Sequence, residues 1–89
     1  MARFMINNQH LAEDCPELVD ELASFYDANK GPRTVDVYCT CATGEHRMSF
    51  VVDANGPAEA LGAIPSGFLR TPSTVSQVER AYEFATGGN

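Results

Sequence analysis

Basic residues are scarce in this 89-residue chain: six Lys and Arg stand against twelve Asp and Glu, a formal charge of −6. Such a chain repels phosphate backbones and anionic lipid headgroups, which argues against a nucleic-acid or membrane-surface role. No apolar run approaches the roughly 20 residues that a membrane span needs. The opening run from Met1 to Ile6 carries one cation and gives way to Asn7 and Asn8, which is too short for a secretory signal. The expected compartment is therefore the cytoplasm. Tryptophan is absent, and there are only three cysteines. Cytoplasmic thiols stay reduced, so this odd number points to metal binding or catalysis and away from a disulfide framework. There is no internal repeat, low-complexity run or Ser/Gly linker.

What remains is an ordinary globular balance, 44% hydrophobic and 20% charged. The length predicts a single domain over residues 1–85, with residues 86–89 as a frayed tail. A chain this short holds only a modest core and often draws extra stability from oligomerisation or a metal. Residues 3–10 read as a strand in which Phe4 and Ile6 share a face with Asn8 and His10. Pro16 suits the first position of a helix, with Cys15 at or near its N-cap and Glu13, Asp14 and Glu17 near its positive end. Leu18, Leu22 and Phe25 give it an apolar stripe, and Gly31-Pro32 supplies a stop.

Residues 33–41 alternate, with Val35, Val37, Cys39 and Cys41 on one face. A turn at 42–45, with Gly44 taking a positive φ, leads to a return strand at 46–53. There Met48, Phe50 and Val52 share a face with His46. Pro57 opens a short second helix to about Gly62, residues 64–69 are irregular, and residues 74–80 form a last strand. Tyr82 and Phe84 follow it and are expected to dock on the same subunit or a neighbour.

The order β-α-β-β-α-β predicts an α+β fold of the ferredoxin-like split type. It has a four-stranded antiparallel sheet, ordered 4-1-3-2, with both helices on one face. The other face mixes Met5, Asn7, Gln9, Tyr38, Thr40, Ser49 and Val51. It is too apolar to stand bare and too polar for a dry core, so a second subunit is expected to cover it.

All the histidines and cysteines fall in two stretches, an H-x4-C from His10 to Cys15 and a C-x-C-x4-H from Cys39 to His46. Neither spacing matches a zinc finger or ribbon. The split topology nevertheless gathers them at one edge of the sheet. His10 and His46 become cross-strand neighbours, Cys41 comes close to His46, and Cys15 overhangs from the start of the helix. Thiolate and imidazole donors favour nickel, copper, zinc or non-haem iron over calcium or magnesium. A helix N-terminus also favours the thiolate form of Cys15. His10, Cys15, Cys41 and His46 are the expected ligands, with Cys39 one residue pair deeper, about 7 Å from Cys41 along the strand. Glu13, Asp14 and Glu45 are candidates to orient the imidazoles. Competing structural readings are a buried Cys39, Cys15 as a poor cap, and the two histidines as a polar cross-strand pair.

Other chemistry is weakly signalled. Gly56, Pro57 and Gly62 do not make a phosphate loop, and no Ser-His-Asp pattern is visible. Two alternative functions stand beside metal binding. One is a small-ligand site or monooxygenase-like enzyme on the open sheet face around Asn7, Gln9 and Tyr38. The other is thiol redox chemistry through Cys39 and Cys41.

The element order, the H-x4-C-P segment from His10 to Pro16 and the G-E-H turn from Gly44 to His46 together resemble small ferredoxin-like proteins of the dimeric α/β-barrel superfamily, in particular its little nickel-binding members. The resemblance implies a homodimer whose sheets face each other and a transition-metal site. The C-x-C at Cys39 and Cys41 departs from that group's pattern and leaves the metal open among nickel, copper and zinc.

Overall fold

A computed structural model describes residues 1–81, apart from the side chain of Cys41. Tyr82, Phe84 and the tail at 86–89 lie outside the described residues. The strands are β1 (Ala2–Gln9), β2 (Thr34–Cys39), β3 (Arg47–Ala54) and β4 (Ser73–Gln77), and the helices are α1 (Cys15–Asp27) and α2 (Pro57–Leu61). The strands form one antiparallel sheet in the order β2-β3-β1-β4. The fold is α+β, an open four-stranded sheet with two helices. Among the described residues no helix is long and apolar enough to cross a membrane.

Alternation decides which face is covered. Phe4, Ile6 and Asn8 of β1 pair with Val52, Phe50 and Met48 of β3, and all six are buried. Leu18 of α1, Ala60 of α2, Ile64 and Phe68 complete the same core. Each large side chain buried there contributes about 1.5–3 kcal/mol over its exposed state. β1 and β3 are the inner strands, so their ends are held from both sides.

The first helix departs from its expected ends. Cys15, expected at or near the cap, is its first residue, one position before Pro16, and a 3-10 turn, Ala12–Asp14, precedes it. It stops at Asp27, before Gly31 and Pro32, because Asn29 takes the left-handed conformation at φ 57°. Asparagine tolerates that region better than other side chains do. Gly31 serves a different purpose. A Cβ there would run into the Tyr26 ring, so any larger residue requires that ring to move.

β2 is also shorter than residues 33–41. A bulge between Thr34 and Asp36 puts Thr34, not Val35, opposite Val52. Tyr26 hydroxyl and Thr34 Oγ1 share a hydrogen bond at 2.9 Å, while Val35 is exposed. After the bulge the alternation resumes, with Val37 opposite Phe50 and Cys39 opposite Met48. The β2–β3 connection holds a 3-10 turn, Cys41–Thr43, and Gly44 has φ 87°.

Residues expected to be irregular include an ordered, buried piece. Ser66–Arg70 is a 3-10 helix in which Gly67 and Phe68 are buried. Phe68 meets Phe50 edge to face at 5.1 Å between ring centroids. The Gly67 amide donates to Glu21 Oε2 of α1 at 2.7 Å, which ties this turn to the helix layer.

Candidate metal centre

His10 directly follows β1, and His46 directly precedes β3. The register that pairs Gln9 with Arg47 makes these two the next pair outward. The His10 amide donates to the His46 carbonyl at 3.0 Å, and the ring centroids are 5.8 Å apart. Cys15 reaches the same place from the first turn of α1. One donor atom each from His10, Cys15 and His46 lies within 4.8 Å of the others.

The site is sheltered. His10 is buried, and His46 and Cys15 are half-buried. Phe68 stands edge-on to the His10 ring at 6.3 Å. Two ring nitrogens, His10 Nε2 and His46 Nδ1, are buried without a hydrogen-bond partner among the described residues. Buried polar atoms are normally satisfied, so an orphan nitrogen on each of two neighbouring rings calls for an explanation.

The other nitrogen of His10 is engaged. Its Nδ1 lies 3.0 Å from Asn8 Oδ1. Burial holds the His10 imidazole below its ordinary protonation value, and repulsion from His46 adds to this, while the Asp14 carboxylate opposes it. The neutral ring is the form with a lone pair to give.

The structure therefore brings together His10, Cys15 and His46. Cys39 is not one of this group: it is exposed on the outer strand β2. The register explains why. Cys39 stands in the row of Met48 and Asn8, about 7 Å inward from the histidine row at ~3.3 Å per residue. The side chain of Cys41 lies outside the described residues, so its ligand role rests on the sequence alone, as does half of the C-x-C redox reading.

The carboxylates expected to orient the rings are placed otherwise. Glu45 is exposed and faces Arg47 at 4.0 Å, and Glu13 is exposed. Asp14 acts on His10 through charge. The orienting hydrogen bond comes from Asn8 instead. Its signal was present in the sequence, as an amide in register with Phe4 and Ile6 on the core face. A polar side chain there must find partners inside the protein.

On the open face, Ser49 Oγ donates to Asn7 Oδ1 at 2.7 Å, and Arg3 pairs with Asp53 at 2.9 Å. Tyr38 is exposed, and its hydroxyl donates to the neighbouring Asp36. These side chains satisfy one another along the surface, and a half-open cavity of about 610 Å³ lies beside them, lined by Asn7, Gln9, Thr40, Arg47 and Ser49 but not by Tyr38. Comparison of the chain with protein-family models, with curated proteins and with solved structures gave no match.

Proposed function

We propose that this protein binds a transition-metal ion through His10, Cys15 and His46. The observation that carries this reading is that one donor atom each from His10, Cys15 and His46 lies within 4.8 Å of the others, while each of the two rings keeps a buried nitrogen without a hydrogen-bond partner among the described residues. Two imidazoles and a thiolate are borderline-to-soft donors that select nickel, copper or zinc over calcium or magnesium. Around a zinc-sized ion, bonds of about 2.0–2.3 Å put tetrahedral donors roughly 3.4–3.8 Å apart. Small side-chain movements close that gap. Cys41, next to the turn that carries His46, is proposed as a further donor.

The role that fits a small sheltered site is storage, sensing or protection against metal stress. We assign the fold to the ferredoxin-like type and propose that two copies pair through their open sheet faces as a dimeric α/β barrel. Met5 and Val51, paired across the central strands of that face, support this by offering apolar surface beside uncharged Asn7 and Ser49.

The test is elemental. The protein is purified without a histidine tag, reconstituted with nickel, copper and zinc in turn, desalted and analysed. One ion per chain is expected for at least one metal, with loss of that ion in His46→Ala. Sub-stoichiometric metal in every case overturns the proposal.

A further inference from the structure

Asn8 is 1% exposed, and its carboxamide is gripped on every side. Nδ2 lies 2.9 Å from the Phe68 carbonyl, 3.0 Å from Ser73 Oγ and 3.5 Å from the Pro72 carbonyl, and it also reaches Thr71 Oγ1. The two carbonyls can only accept. The two hydroxyls each donate to the Phe68 carbonyl, at 3.1 Å and 3.2 Å, so they too turn lone pairs towards Asn8. An amide nitrogen is the only end of the side chain that fits among four acceptors. The oxygen must then face His10.

This fixes the imidazole. Oδ1 has no hydrogen, so His10 Nδ1, 3.0 Å away, carries the proton. The lone pair of the neutral ring is left on Nε2, the buried nitrogen without a partner, and with Nδ1 engaged it is the nitrogen that His10 has to offer to the group it forms with Cys15 and His46. Neutral histidine in water favours the opposite form, with the proton on Nε2. A ring held this way is preset for coordination, because no tautomer change is needed when an ion arrives.

We infer that Asn8 is the positioning residue of the metal centre: clamped by residues 68–73, it holds His10 as the Nδ1–H tautomer and directs Nε2 to the ion. The inference rests on the metal-binding reading above. It also assigns a purpose to the segment between α2 and β4. The Pro72 carbonyl accepts from the Gln9 amide at 3.0 Å, so the clamp is fastened to the end of the strand that carries His10.

The experiment uses the whole 15N-labelled protein. Two-bond proton–nitrogen correlation spectra of the metal-free wild type report which ring nitrogen of His10 is protonated, with no variant needed. Protonated Nδ1 and bare Nε2 are expected; the reverse, or a mixture, overturns the inference. Zinc is then added. The Nε2 signal should shift while Nδ1 stays protonated. Binding through Nδ1 overturns the role of Asn8 and leaves metal binding intact. Absence of any bound zinc, nickel or copper overturns the metal reading and the inference with it.

In Asn8→Ala, zinc affinity should fall by about 10–100-fold, the size of effect known for such orienting partners. The metal-free spectrum should show both tautomers. Unchanged affinity in a folded Asn8→Ala protein overturns the inference. If that variant does not fold, the wild-type spectra decide.

Discussion

His10 is the residue on which most of the chemistry turns, and its burial makes the metal-free protein sensitive to acid. The unfolded chain takes up the histidine proton near the ordinary value of about 6.5. The folded chain takes it up at lower pH, mainly because the ring is buried and secondarily because of His46. Between the two values the unfolded state binds more protons. Stability is therefore full above about pH 6.5 and falls as pH drops through the folded value. In chelator-treated protein, the urea midpoint should be lower at about pH 5.5 than at pH 7.5, and His10→Gln should shrink that difference. Equal differences in both proteins would remove His10 as the cause. Asp53 titrates in a separate window. Its hydrogen bond to Arg3 holds its carboxyl below the ordinary value of 3.8, so that contribution is present above 3.8 and disappears only at lower pH.

At this same scale, the meeting of His10, Cys15 and His46 was readable from the chain. Alternation is a property of the backbone, and it carries a histidine as faithfully as a phenylalanine. The exposure of Cys39 was not readable. Parity gives the face of a residue but not whether anything covers that part of the face. The unpaired state of the two ring nitrogens was equally out of reach, because it depends on side-chain geometry.

Among the elements, the 3-10 turn Ser66–Arg70 does most to build the site from a distance. Phe68 fills the core against Phe50, stands beside His10, and lends its carbonyl to Asn8. Its side chain is fully buried. Phe68→Ala should therefore cost about 3–5 kcal/mol, read by urea denaturation. A loss below about 1 kcal/mol would show that the ring is not part of the core. This turn was hidden in the sequence because Pro65 and Gly67 break both helical and strand periodicity, and three-residue periodicity over five positions leaves no pattern to count. The bulge in β2 was hidden for a related reason. Unbroken alternation would put Val35 opposite Val52, and the extra residue moves Thr34 into that place. Asn29, by contrast, stops α1 through a conformation that asparagine tolerates, a weaker signal in the sequence than Gly31-Pro32.

For the whole molecule, the proposed pairing of open faces sets the mass in solution. Each chain weighs 9.6 kDa, so sedimentation equilibrium should give about 19 kDa, twice that figure. Met5, Asn7, Ser49 and Val51 give the middle of the face no charge, Arg3 pairs with Asp53 beside it, and the Asp36 carboxylate next to Val51 accepts from the Tyr38 hydroxyl. Val51→Asp sets a second carboxylate beside Asp36 and next to Met5 and should return the chain to a monomer. A wild-type mass of one chain at high micromolar concentration would end the dimer proposal. The α+β class and the antiparallel sheet were legible at this scale because element order and short connections leave few topologies open.

The backbone bond from the His10 amide to the His46 carbonyl is the terminal rung between the two middle strands. A terminal rung has support on one side only and is the first to open. An ion held by both rings would grip that weak point from outside and stitch residue 10 to residue 46 across 35 intervening positions. Occupancy would then be written into the lifetime of the protein itself, with the empty chain surrendered sooner to proteolysis than the loaded one.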